Sequence, residues 1–207
     1  MRRENASAIY RFNPINSFKP KCHGRKERVS AADEGIRIVA FYAGNAPDDR
    51  GRFHDDILRF DDDSLERVHD FIQWLFPLRE RSGANRAAPR LDRTAIEAFL
   101  RPHLRSALRR SLDRMLSFYG LEWDGDAIVK QPSFERHSGW LTPGNHNHLR
   151  LTRILASLRI LGEDKAAGAL FRCLAEIEAE EHRNSLNRIS ERTFRFWREA
   201  VQASPPK

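Results

Sequence analysis

Eight histidines are spread through the chain, and two groupings set them beside residues with which they could do chemistry. The first is His54 with His69 and Asp70. Imidazoles followed by a His-Asp pair suit a metal-assisted hydrolase, in which the ligands hold a cation that activates water. Against it, His69 falls beside an apolar stripe, and no later aspartate at a helix end completes the set. The second grouping is GNHNHLRLTRILAS at 144–157. A helix that starts at Asn145 presents backbone N–H groups and the positive end of its dipole, which favour an anion. His146, Arg150, Arg153 and Ser157 then recur at helical spacing and form one polar stripe beside Leu151, Ile154 and Leu158. That arrangement fits a carboxylate or phosphate, and Arg150→Ala is expected to weaken such binding with little loss of stability. The competing reading pairs Arg150 and Arg153 with internal acids such as Asp70 or Glu80. His146 and His148, two apart, point about 200° from each other once the helix has begun, so they do not share a metal there; capping and packing suit them better.

Trp74, Leu75, Phe76, Pro77, Leu78, Arg79 and Glu80 form a third candidate. Three bulky residues ahead of a proline need a core to receive them, and each contributes roughly 1.5 to 3 kcal/mol when buried. The functional alternative has Trp74 or Phe76 walling a groove with Arg79 at its mouth. Cys173 lies among Leu170, Phe171 and Leu174, where a cysteine behaves as a small apolar residue and not as a nucleophile. No serine elbow, glycine-rich phosphate loop or His-Glu-x-x-His string occurs, so covalent and nucleotide chemistry lack support.

The elements that must position these residues are mostly helical in pattern. IRIVAFYAG, from Ile36, is β-branched and aromatic and reads as one short strand closed by the turn GNAPDDRGR. FHDDILRF at 53–60 suits a short helix. DSLERVHDFIQWLF reads as one helix capped by Asp63, with Leu65, Val68, Ile72 and Leu75 inside, ended by Pro77. Asp92 caps DRTAIEAFLR, and Pro102 opens a helix whose stripe is Leu104, Leu108, Leu112, Met115 and Tyr119, stopped at Gly120. Residues 121–145 are loop-rich, with a helical turn at FERH. Three helices follow: one over LRLTRILASLRIL to Gly162, one over AAGALFRCLAEIEAE, and one over ISERTFRFWREAV. Short loops make them antiparallel neighbours. No repeat occurs at a fixed period.

Charge separates an arm from a body. The net charge is +7, of which residues 1–30 carry +6. With Pro14, Pro20, Gly24 and no apolar periodicity, that stretch reads as a disordered basic arm. In the body, residues 48–70 hold nine acids against four arginines, and residues 79–115 ten arginines against four acids. A nucleic-acid module would use the arm with Arg109, Arg110 and Arg114. It lacks interleaved exposed aromatics, so nucleic acid is not the expected partner. Two cysteines 151 positions apart exclude a disulfide scaffold. No apolar run approaches the roughly 20 residues of a membrane span, and Glu4 and Asn5 interrupt any signal peptide, so a cytoplasmic protein is expected.

FIQWLFPLRE at 71–80, RMLSFYG at 114–120 and NHNHLRLTRILASLRILG at 145–162, with His69, Asp70 and the lead-in FYAG…D…GR, carry a resemblance. Over about residues 36–203 the chain resembles the conserved N-terminal domain of the opioid growth factor receptor family, in the compact form found in bacteria. The resemblance implies an all-helical domain. It also implies receptor-like binding, since the family's long vertebrate members bind the pentapeptide Met-enkephalin, are associated with the nucleus, restrain proliferation and carry C-terminal repeats. It brings no set of peptide-contacting residues with it.

The expected architecture is therefore all-α: one helical domain of about seven or eight helices over residues 31–203, between the arm 1–30 and a tail 204–207. The expected function is a soluble binding module for a short peptide or small anionic ligand, with Trp74, Arg79, Asn145, His146, Asn147, Arg150 and Arg153 as binding residues. No catalytic residue, metal or cofactor is assigned.

Overall fold

The computed structural model describes residues 31–202; the expected arm at 1–30 and tail at 204–207 lie outside the described residues. In chain order the helices are α1 Ala31–Tyr42, α2 His54–Leu58, α3 Asp62–Arg67, α4 Ile72–Leu75, α5 Arg93–Ala98 and α6 Pro102–Phe118. A hairpin of β1 Leu121–Asp124 and β2 Ala127–Lys130 follows, then α7 Phe134–His137 and a 3-10 turn at Ser138–Trp140. The last three helices are α8 His146–Ile160, α9 Asp164–Arg183 and α10 Glu191–Gln202. The fold is mostly helical, as expected. Its ten described helices exceed the seven or eight expected.

The segment read as a strand at Ile36 is the second half of α1. A strand would put Ile36 and Ile38 on one face. Instead Glu34, Ile38, Phe41 and Tyr42 are buried at helical spacing, while Ile36 is 65% exposed. The single helix expected from Asp63 to Phe76 divides in two. Asp61, not Asp63, is the N-cap of α3, accepting from the Ser64 backbone N–H. Val68 then turns extended at ψ 127° and ends it. Breaking a helix frees its last carbonyls, which need donors. Arg150 of α8 supplies them, donating to the carbonyls of Leu65 and Val68 at 2.8 Å each.

The stretch 121–145 holds an antiparallel pair that composition hid. Asp124 pairs with Ala127 across a two-residue loop, and Gly125 takes φ 58°, the positive value such tight loops require at their first position. At the end of α6, Gly120 has φ 71°, and a Cβ there would stand 2.8 Å from Cβ of His137. Glycine is thus needed both for the left-handed stop and for the close passage of α7.

The core runs along α8. Its Leu151, Ile154, Leu155 and Leu158 are fully buried, and α9 and α10 pack against it. Trp197 of α10 is sealed in that seam, its indole donating to the His148 carbonyl at 3.0 Å. A second centre gathers Phe41, Tyr42, Trp74 and Phe99 between α1, α4 and α5, with their rings in edge-on and tilted contact. α8 is therefore apolar on one side and bonded through its polar stripe to residues 65–77 on another.

Candidate functional site

The stripe forms as its spacing requires. From the first turn onward, Asn147 donates to Glu66 at 2.9 Å, and Arg150 to the α3 carbonyls. Arg153 donates to the Phe76 carbonyl at 3.0 Å, and Ser157 to the Pro77 carbonyl at 2.9 Å. Residues 65–77 are thus fastened along three turns of α8. Arg150 is 5% exposed, and its guanidinium lies 5.3 Å from the Phe71 ring centre. Neither Arg150 nor Arg153 forms an ion pair with a carboxylate among the described residues. Glu66 and Glu80 act on them only at longer range. Burial accordingly pulls both guanidinium pKa values below the ordinary one, although an arginine stays charged.

A cleft of about 380 Å³ opens over this stripe. His69, Gln73, His146, Arg150, Arg153 and Thr152 supply its polar wall, and Ile72, Leu78, Ala84, Leu149 and Ala156 its apolar one. Leu149 is 67% exposed at the rim. The His69 and His146 rings meet edge to face at 4.9 Å. Burial, then Arg150 and His69, push the His146 pKa down, against the pull of Glu66, whose carboxylate stands 3.6 Å from Nε2. At that distance Nε2 of His146 makes no hydrogen bond, and Oε1 of Gln73 is likewise buried without a donor among the described residues. Basic side chains therefore line a largely apolar slot, the composition of a small-molecule site.

The expected site residues separate on this frame. His146, Arg150 and Arg153 line the cleft. Asn145 and Asn147 stand behind it: Oδ1 of Asn145 accepts from the Asn147 backbone N–H at 2.9 Å, so the helix terminus expected to hold an anion is already capped by its own side chain. Trp74 does not reach the cleft. It is fully buried, donates from Nε1 to Asp49 at 2.8 Å, and lies under the Arg37 guanidinium. Arg79 is half-buried outside the lining, its Nε without a partner. The pairing expected between Arg150 or Arg153 and Asp70 or Glu80 is replaced by backbone carbonyls, because helix ends at 65–76 supply acceptors closer by.

The hydrolase set is not assembled. His54 is buried against Ser111 Oγ at 2.8 Å, and Asp70 is held by Arg50 at 3.0 Å and Arg52 at 2.8 Å. His69 faces Arg150 and His146. Among the described residues no group of three His, Cys, Asp or Glu side chains is placed to hold a metal ion. The arginines considered for nucleic acid are engaged as well: Arg109 on buried Glu163, Arg110 on Asp55, and Arg114 on Asp62 and the Phe60 carbonyl. Cys173 is buried and its thiol pushed up to about 12, so it is no nucleophile near neutral pH. Among the described residues no helix is long and apolar enough to cross a membrane.

Sequence reasoning overlooked Gln73. The signal was present: a lone amide between Ile72 and Trp74, in a run otherwise apolar, marks a polar side chain carried into the interior.

Fold and cleft together define a helical domain with a basic, apolar-walled slot over its α8 stripe. The family model of the opioid growth factor receptor conserved region matches residues 39–205, and the chain belongs to that family. The mouse opioid growth factor receptor is 38% identical over 125 residues, 58% of this chain and 20% of the relative. The human one is 34% identical over 174 residues, 81% of this chain and 24% of the relative. An opioid growth factor receptor-like protein 1 from Xenopus tropicalis is 38% identical over 107 residues, 49% of this chain and 20% of the relative. The match thus spans a fifth to a quarter of these relatives' length. No solved structure matches the chain.

Proposed function

We propose that the protein is a binding module, and that its cleft receives the anionic end of a short peptide or another small carboxylate ligand. One observation carries this reading: two arginines on α8 line an apolar-walled slot, and among the described residues their hydrogen-bond acceptors are all neutral. A cation withdrawn from water with carboxylates only at longer range is costly, and a carboxylate entering the slot would offset that cost with charge-assisted hydrogen bonds. The names of the relatives describe receptors for an opioid growth factor, which supports a peptide as the ligand class here. No catalytic step is assigned, and the domain is proposed to act in the cytoplasm.

Titration of the thermal midpoint with phosphate, citrate and a pentapeptide tests the reading. A ligand at a hundred times its Kd stabilises by about 2.7 kcal/mol, which moves the midpoint of a domain this size by roughly 5 to 10 °C. The expected result is a saturable rise with at least the peptide, reduced in Arg153→Gln. An unmoved midpoint with every anion at millimolar concentration overturns it.

A further inference from the structure

We infer that Gln73 selects the ligand: the cleft takes a carboxylate that carries an N–H donor beside it, as an N-acyl amino acid or the last residue of a peptide does, over a bare carboxylate. The inference rests on the anionic reading of the cleft and adds the chemistry of a second contact. Gln73 is 5% exposed, lines the slot from α4, and among the described residues its Oε1 has no donor. A buried amide oxygen left unpaired is costly, so native structures rarely keep one without a purpose. The terminal amide torsion of glutamine is soft, so the oxygen can turn toward an occupant of the slot with little strain.

What surrounds Gln73 specifies the occupant. Arg153 donates to the carbonyl of Phe76, three residues beyond Gln73, and both side chains line the slot, so an amide that turns its oxygen outward sets an acceptor beside a guanidinium. Ile72, Leu78 and Ala156 continue that wall as apolar surface. A ligand that satisfies all three needs a carboxylate, a neighbouring N–H and an apolar side group on one short frame. An inorganic phosphate meets only the first need, and a fatty acid only the first and last.

Calorimetry on the wild-type chain with three probes decides it. The probes are N-acetyl-leucine; N-acetyl-N-methyl-leucine, which lacks the N–H; and 4-methylpentanoate, which lacks the amide altogether. N-acetyl-leucine is expected to bind roughly tenfold more tightly than either of the others, about one hydrogen bond with its partner otherwise left unpaired. In Gln73→Met that preference is expected to vanish. Equal affinities of the three probes on the wild-type chain overturn the role of Gln73 and leave the anionic cleft standing. A tenfold preference that survives in Gln73→Met also overturns it. Absence of binding by all three overturns the cleft and this inference together. The wild-type comparison decides the matter even if the variant fails to fold.

Discussion

Nη2 of Arg150 lies 3.2 Å from Nδ1 of His69. A guanidinium only donates, so this ring nitrogen accepts and Nε2 carries the ring proton. The same guanidinium donates to the carbonyls of Leu65 and Val68 and to Oδ1 of Asn147 at 3.1 Å. One side chain of α8 therefore closes the end of α3 and fixes the tautomer of a histidine at the cleft.

Arg150→Ala is accordingly expected to destabilise the fold by roughly 2 to 4 kcal/mol, because it strands buried carbonyls as well as leaving a cavity. Chemical denaturation of the purified variant measures it. This replaces the expectation, drawn from the helix pattern alone, that the substitution would cost little stability. A variant as stable as its parent would show that water takes over the arginine's donors.

Among the described residues Arg153 makes a single hydrogen bond, to the Phe76 carbonyl, and is the better probe of binding. Arg153→Gln is expected to lose about 1.5 to 3 kcal/mol of affinity for a carboxylate ligand, the size of a charge-assisted hydrogen bond, with a smaller stability loss than Arg150→Ala. Paired calorimetry and denaturation separate the two effects.

Trp74→Ala empties a fully buried site and severs the indole's hydrogen bond to Asp49. A destabilisation of about 3 to 5 kcal/mol is expected in urea unfolding. Trp74→Phe keeps the ring contact with Phe41 and should retain most of the stability.

Stability should also fall in mild acid. Burial holds His148, which stands edge-on to Trp140 and Trp197, below its ordinary value of 6.5, and burial does the same to His54. Each ring binds a proton more readily in the unfolded chain. As pH falls through about 6.5 the unfolded state gains protons first, and each histidine removes up to about 1.4 kcal/mol per pH unit until its folded value is passed. Glu34, held low by Arg90 and Arg81 despite burial, loses its contribution only in the more acidic carboxylate window. The thermal midpoint at pH 5.5 is thus expected below that at pH 7.5, with a smaller drop in His148→Phe. An equal drop in that variant would assign the effect elsewhere.

Much of this was legible in the residues, and the failures share a cause. Asn145, Asp92 and Pro102 mark helix starts by local chemistry, and the structure places helices directly behind them. The stripe of Arg150, Arg153 and Ser157 follows from spacing along one helix. What it faces does not, because Arg150 meets the carbonyl at the Val68 break from 82 positions away in the chain. The strand reading at Ile36 failed for a similar reason. β-branched residues favour a pleated surface only when a partner strand exists, and here the partners of Ile38 and Phe41 are rings and helices. Trp74 was readable as core from its neighbours, and Gln73, one residue earlier, as a polar side chain carried inward; that its Oε1 has no donor among the described residues shows only in the structure.

The central claim is that the α8 cleft holds a carboxylate, and the most direct measurement is calorimetric titration with one leucine-ending pentapeptide as free acid and as C-terminal amide. The account predicts saturable one-to-one binding of the acid, weakened about tenfold or more in the amide, since the amide brings no charge to Arg150 and Arg153. Equal affinities for acid and amide, or no heat from either at millimolar concentration, would contradict it.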